Sequence, residues 1–199
     1  APLVRDGLGL RREIAAELRE EMQAASRDAV PVSGFALEAA RLGRLLRDHP
    51  EYSTGFVDIG GWDTHAAQGG AHGALANRLH ALGSGLAALS DALGAPEWQR
   101  TVVVVLSEFG RTFRENGSGG TDHGHGTAMW ILGGAVRGGA IRGEQTGLRA
   151  ADLHQDRDLP VLNEYRASLG GLFGRMFGLS PEALGRVFPG ARPNDLGLL

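Results

Sequence analysis

The stretch Thr101–Leu106, TVVVVL, constrains the fold of this chain more than any other. Four consecutive valines and a leucine leave no polar alternation, so neither face of the strand is expected to meet water. That is the pattern of an inner strand of a parallel sheet. A helix of crossover length precedes it: in His72–Leu93, Leu75, Leu79, Leu82, Leu86, Leu89 and Leu93 share one face, and Gly94-Ala95-Pro96 ends it. Phe56–Ile59 is a second short apolar run before that helix. Strand, helix, strand with apolar strands predicts a right-handed parallel βαβ unit. The fold class expected is therefore α/β, with a mainly parallel sheet. Thr127–Gly134 supplies a third strand, and GGAIRGEQTG an edge strand and turn.

Helices flank this core. Leu10, Ile14, Leu18 and Met22 recur four apart in Leu10–Val30, which predicts an amphipathic helix. A second helix is expected after Ser33 as its cap, turning Phe35, Leu37, Ala40, Leu42 and Leu45 inward and stopping at Pro50. The segment from Asp158 predicts one long helix, and Ser180-Pro181 starts a short last one, followed by an extended tail. No linker divides the chain. One domain over 1–199 is expected, with residues 1–50 as helical scaffold and 51–199 carrying the sheet core and the site loops.

Composition removes several function classes. At 199 residues, 42% hydrophobic and 22% charged, the chain can bury a core and is not of the disordered class. A net charge of −3 gives no basic face for nucleic acid, although all 20 basic residues are arginine. The absence of cysteine excludes disulfides, thiolate metal sites and cysteine nucleophiles. No apolar run reaches the roughly 18 residues of a membrane span. The N-terminus lacks a signal-peptide pattern.

Open parallel sheets bind ligands beyond the C-terminal ends of their strands. Polar, glycine-rich segments stand at these ends: GGWDTH after Ile59, SEFGR after Leu106, and GTDHGHG before the third strand. Asp63 and His65, Glu108 and Arg111, and Asp122, His123 and His125 are thus expected to converge on one edge. Carboxylate and imidazole together suit zinc, manganese or iron better than calcium, which prefers an all-oxygen shell. Each residue also has a plainer reading. Asp63 can cap the following helix, Glu108 can pair with Arg111 or Arg114, and Asp122 can close an Asx turn. Trp62 and Trp130 suit packing, and His49, His72, His80 and His154 suit structural or solvent-exposed roles.

In this order, GGWDTHAAQ, VVVVLSEFGRTFREN and GTDHGHGTAMWILGGAVRGG resemble the DUF1501 family, as does DLPVLNEYRASLGGLFGRMFGLS followed by VFPG. The resemblance covers about Gly55 to Gly190. It implies membership of the alkaline phosphatase-like superfamily, with an α/β/α sandwich around a mainly parallel sheet and a metal site for phosphoryl or sulfuryl transfer. On this pattern Asp63 and His65 bind a first metal, completed by His123, with His125 the next match. Ser107-Glu108-Phe109-Gly110 stands where the superfamily has Ser-Asp-His-Gly. Glu108 can replace the Asp, whereas Phe109 cannot bind a metal, which argues against a second ion. The superfamily's nucleophile has no counterpart before Gly55. The resemblance therefore implies the C-terminal portion of a longer protein, and a periplasmic or extracellular location through a twin-arginine signal.

The function expected is a metal-dependent hydrolase of phosphate or sulfate esters. Zinc or manganese would be held by Asp63, His65 and His123, with Glu108 and His125 as further ligands. Glu108 and Arg111 would serve the chemistry, Arg111 by neutralising a small-molecule or polymeric anionic ester. The alternative is a non-catalytic structural or interaction module on the same fold.

Overall fold

The computed structural model describes residues 34–199, so the helix expected over Leu10–Val30 and the Ser33 cap lie outside the described residues. The described chain divides into two units, residues 34–62 with Ala76–Glu97, and Asp63–Leu75 with Trp98–Leu199.

The first unit is helical. Helix α1 spans Phe35–Asp48, with Gly34 at its N-cap, and buries Ala39, Arg41, Gly43 and Leu45. Of the residues expected to face inward, Leu45 is buried, whereas Phe35, Leu37, Ala40 and Leu42 are half-buried. Glycine stands at position 43 because α1 crosses closely there over helix α2, which spans Ala74–Trp98. A Cβ at Gly43 would stand 2.8 Å from the Ala92 Cβ and 2.9 Å from the Leu89 carbonyl. Leu82, Leu89 and Leu93 of α2 are buried as its leucine spacing predicts. The helical path breaks at Gly94, and Pro96 follows inside the short continuation. Residues 54–61, between the helices, carry no regular structure.

The second unit holds the strands. Strand β1 is Val103–Val105, β2 is Gly110–Arg111, β3 is His123–Gly124 and β4 is Trp130–Leu132. They form two separate two-stranded sheets, and both are antiparallel. Val103 pairs with Leu132 and Val105 with Trp130; Gly110 pairs with Gly124 and Arg111 with His123. A one-turn 3-10 helix at Ala150–Asp152 precedes helix α3, Tyr165–Phe177, and helix α4, Pro181–Val187.

This overturns the mainly parallel sheet and, with it, the α/β/α sandwich. The protein is α/β, but its sheets are small and antiparallel. Phe56–Ile59 forms no strand, and Phe56 is 91% exposed, so the βαβ unit loses its first member. The GGAIRGEQTG strand does not form either, and Ile141 within it is exposed. The physical reason is that an apolar run reports that a strand seeks apolar cover, while strand direction depends on the connection to its partner. Here residues 106–129, which carry the β2–β3 ladder, lead back to β4 and return the chain in the opposite sense. With a single partner, the valines of β1 are half-buried.

The helix expected from Asp158 begins only at Tyr165, whereas the last helix starts at its Ser180-Pro181 signal. Ser180 caps α4 by accepting from the Ala183 N–H at 3.3 Å, with proline at the first position. Glu164 caps α3 by accepting from the Arg166 and Ala167 N–H groups, and Gly178 closes it in the left-handed conformation. Leu169, Leu172 and Leu184 are buried, and Phe173 meets the rings of Phe177 and Phe188. Residues 191–199 carry no helix or strand, and Asn194 N–H donates to the Ala167 carbonyl. Among the described residues no helix is long and apolar enough to cross a membrane.

Candidate metal centre

The short β2–β3 ladder is the platform of the site, and glycine makes it possible. A Cβ at Gly110 would fall on the Gly126 carbonyl, and one at Gly124 would stand 2.8 Å from both the Arg111 carbonyl and the Asp158 Cβ. Only a residue without a side chain lets the backbones approach so closely. Between the strands, Asn116 organises the loop as an Asx turn, its Oδ1 accepting from the Ser118 and Gly120 N–H groups. The loop then stitches itself to the segment after Asp63. Thr121 N–H donates to the Thr64 carbonyl, Ala67 N–H to Ser118, and Gln68 N–H to Gly119. These backbone bonds bring Asp63 and His65 beside His123, about sixty residues away in sequence.

Asp63, His65 and His123 each offer one ligand atom, and these atoms lie within 4.8 Å of one another. His123 Nε2 stands 2.7 Å and His65 Nε2 2.9 Å from the same Asp63 Oδ1. Arg111 donates to that oxygen too, at 2.7 Å, and its other nitrogens donate to the Thr121 hydroxyl and carbonyl. The His123 ring and the Arg111 guanidinium hold the Asp63 carboxyl below the ordinary carboxylate value. Asp122 is held low as well, by the Asn116 amide and the His65 ring. About half of each cluster side chain is exposed, so the group is reachable from solvent.

The donor set fits a divalent ion. Ligand atoms about 2.0–2.1 Å from an ion stand roughly 3.0 Å apart at octahedral corners and roughly 3.3 Å at tetrahedral ones. The observed 2.7 and 2.9 Å separations need only a few tenths of an ångström of opening. Two imidazoles and one carboxylate leave coordination positions open, as catalytic rather than structural sites do.

The other expected residues are placed differently. Glu108 is exposed and makes no hydrogen bond or ion pair among the described residues. Its expected partners are engaged elsewhere, Arg111 with Asp63 and Arg114 with Asp156 at 2.8 Å. His125 stands apart from the three-residue cluster. Its Nδ1 lies 2.9 Å from Asp158 Oδ2, which also accepts the His125 N–H, and the His154 ring meets it edge-on at 4.6 Å between centroids. Trp62 donates to the Ile59 carbonyl at 2.6 Å, in the first unit.

Sequence reasoning missed several residues. Phe109 stacks face to face on His123, with centroids 4.5 Å apart and planes within 5°. The Arg111 guanidinium lies 5.5 Å from the centre of the same Phe109 ring. Gln68 accepts from the Thr64 and Thr121 hydroxyls, tying the two segments together. Asp158 is fully buried at 0% exposure, and nothing around it in the sequence marks it as a partner of His125. Although burial opposes its charge, the His125 N–H and ring and the nearby Arg157 guanidinium lower the Asp158 pKa. Asp158→Ala is expected to destabilise the fold by roughly 1–3 kcal/mol, the cost of removing hydrogen bonds to a buried charge. Urea denaturation checks this; an unchanged midpoint would show that the buried carboxylate contributes nothing net.

The chain is thus an α/β protein carrying a His/Asp cluster able to chelate a metal. Residues 2–188 match the family described as protein of unknown function, DUF1501, and the chain belongs to that family. Searches of curated proteins and of solved structures returned no match.

Proposed function

We propose that this protein is a metal-dependent hydrolase acting on phosphate or sulfate esters. The observation that carries the reading is the convergence of Asp63, His65 and His123, three ligand atoms within 4.8 Å at a solvent-reachable surface. A divalent ion such as zinc or manganese would supply Lewis-acid polarisation of the ester oxygens when bound. The chain's own residues prepare the place for it. Arg111 keeps Asp63 ionised and fixed in direction, since two of its nitrogens are anchored on Thr121. Phe109 presents a flat apolar wall behind His123 and confines that ring to one plane. The Thr64 and Thr121 hydroxyls both donate to Gln68 and so serve to hold the site rather than to attack a substrate.

One observation favours a second reading, a non-catalytic binding or interaction module. Arg111 and His123 already satisfy Asp63 by hydrogen bonding, with the His65 ring 2.9 Å from the same oxygen, so the cluster can hold together as a purely polar junction. Turnover of generic aryl phosphate and aryl sulfate esters separates the two. The hydrolase reading expects release of the aryl alcohol that stops with a chelator and returns with zinc or manganese. A folded, metal-replete protein that turns over neither ester class leaves the module as the correct reading.

A further inference from the structure

His65 is gripped at both ring nitrogens. Its Nε2 faces Asp63 Oδ1 at 2.9 Å, while its Nδ1 lies 3.1 Å from Asp122 Oδ1 on the opposite side. Asp122 is itself held. Asn116 Nδ2 lies 3.1 Å from the same Asp122 oxygen and 3.0 Å from the His65 carbonyl, so one amide bridges both residues. The Asp122 N–H donates to the Thr112 hydroxyl at 3.0 Å, which pins the residue at the mouth of β3.

The two carboxylates are not equivalent acceptors. Asp63 Oδ1 already meets Arg111 and His123, each at 2.7 Å. A carboxylate oxygen has about two lone-pair sites, so a third donor there is crowded. Asp122 Oδ1 carries only the Asn116 amide besides His65. When the ring is neutral, its single proton is better placed on Nδ1, facing Asp122. The Nε2 lone pair is then left on the side of the cluster, 2.9 Å from Asp63 Oδ1. Metal-binding histidines are oriented in this way by a carboxylate on the far nitrogen, which fixes the tautomer and strengthens the ligand.

We infer that Asp122, braced by Asn116, is a positioning residue that holds His65 as its Nδ1–H tautomer and aims Nε2 into the cluster. This deepens the proposed function and rests on its reading of Asp63, His65 and His123 as metal ligands. Asp122 touches neither ion nor substrate.

Two measurements test it. In the metal-free protein at mildly alkaline pH, long-range proton–nitrogen NMR correlations report which nitrogen of His65 carries the proton. Protonated Nδ1 in the wild type, lost or mixed in Asp122→Ala, is the expected result; a wild-type ring protonated at Nε2 overturns the inference. Zinc titration then reads the consequence: Asp122→Ala should bind about 10- to 100-fold more weakly. Asp122→Asn, whose amide oxygen still accepts a hydrogen bond, should recover part of the loss. Equal affinity in all three proteins would also overturn it. Absence of zinc binding by the wild type would instead reject the metal-site reading, while the tautomer measurement would still decide the role of Asp122.

Discussion

Replacing His123 with alanine is expected to abolish stoichiometric binding of a divalent metal. His123 supplies one of the three ligand atoms and one of the two shortest approaches to Asp63 Oδ1, at 2.7 Å. Its loss leaves His65 and Asp63, a pair that cannot enclose an ion. The drop should exceed the roughly 10- to 100-fold that removal of an outer partner costs. The fold should survive, because the His123 side chain is about half exposed and its backbone, not its ring, pairs with Arg111. Metal analysis of purified protein after dialysis, with a thermal melt alongside, checks both parts. One divalent ion per wild-type chain and none in the variant, with folding intact, is the expected outcome. A metal-free wild type, or a variant that keeps its ion, would falsify the assignment.

Gly110→Ala is expected to have the largest effect on the fold around the site. The new methyl would be driven into the Gly126 carbonyl, and backbone cannot swing aside as a long side chain can. Overpacking of this kind costs about 1–3 kcal/mol or more. Relief requires β2 and β3 to part, and β2 carries Arg111 while β3 carries His123. The variant should therefore lose stability and metal affinity together, which His123→Ala should not. Serine at Gly117, where a Cβ meets nothing within 4 Å, is a matched control. A Gly110→Ala protein with wild-type melting temperature and metal content would show that the ladder yields without disturbing the cluster.

How much could be read beforehand differs between fold and site. Helix α3 was expected from Asp158 and begins at Tyr165. The last helix was legible because its signal is local: Ser180-Pro181 acts within one turn, and α4 starts there. The position of strand β1 was legible for the same reason. Its partner was not, because nothing in four valines says whether the next strand runs with or against them. The segment Phe56–Ile59 carries the composition of a strand but gains no partner, and without hydrogen bonds across a ladder an apolar run stays irregular.

The site shows the same division. Asp63, His65 and His123 were recognisable as metal-ligand types flanked by glycine, and they do come together. Glu108 and His125 had the same credentials, yet one faces solvent and the other turns to Asp158. Phe109 looked like a defect in the pattern, because a phenyl ring cannot bind a metal. Its contact with His123 depends on the register of β2 against β3, a property of two strands at once.

The sequence by itself determined which side chains were chemically fit to hold a metal, where the last helix starts, and that the valine run would become a strand. Those are consequences of residue type and short-range spacing. The tertiary structure alone decided that the sheets are antiparallel, that Arg111 serves Asp63, and that Asp122, Asn116 and Phe109 surround the two histidines. Each of these depends on groups distant in sequence that meet only when the chain closes on itself, and local spacing carries no record of that closure.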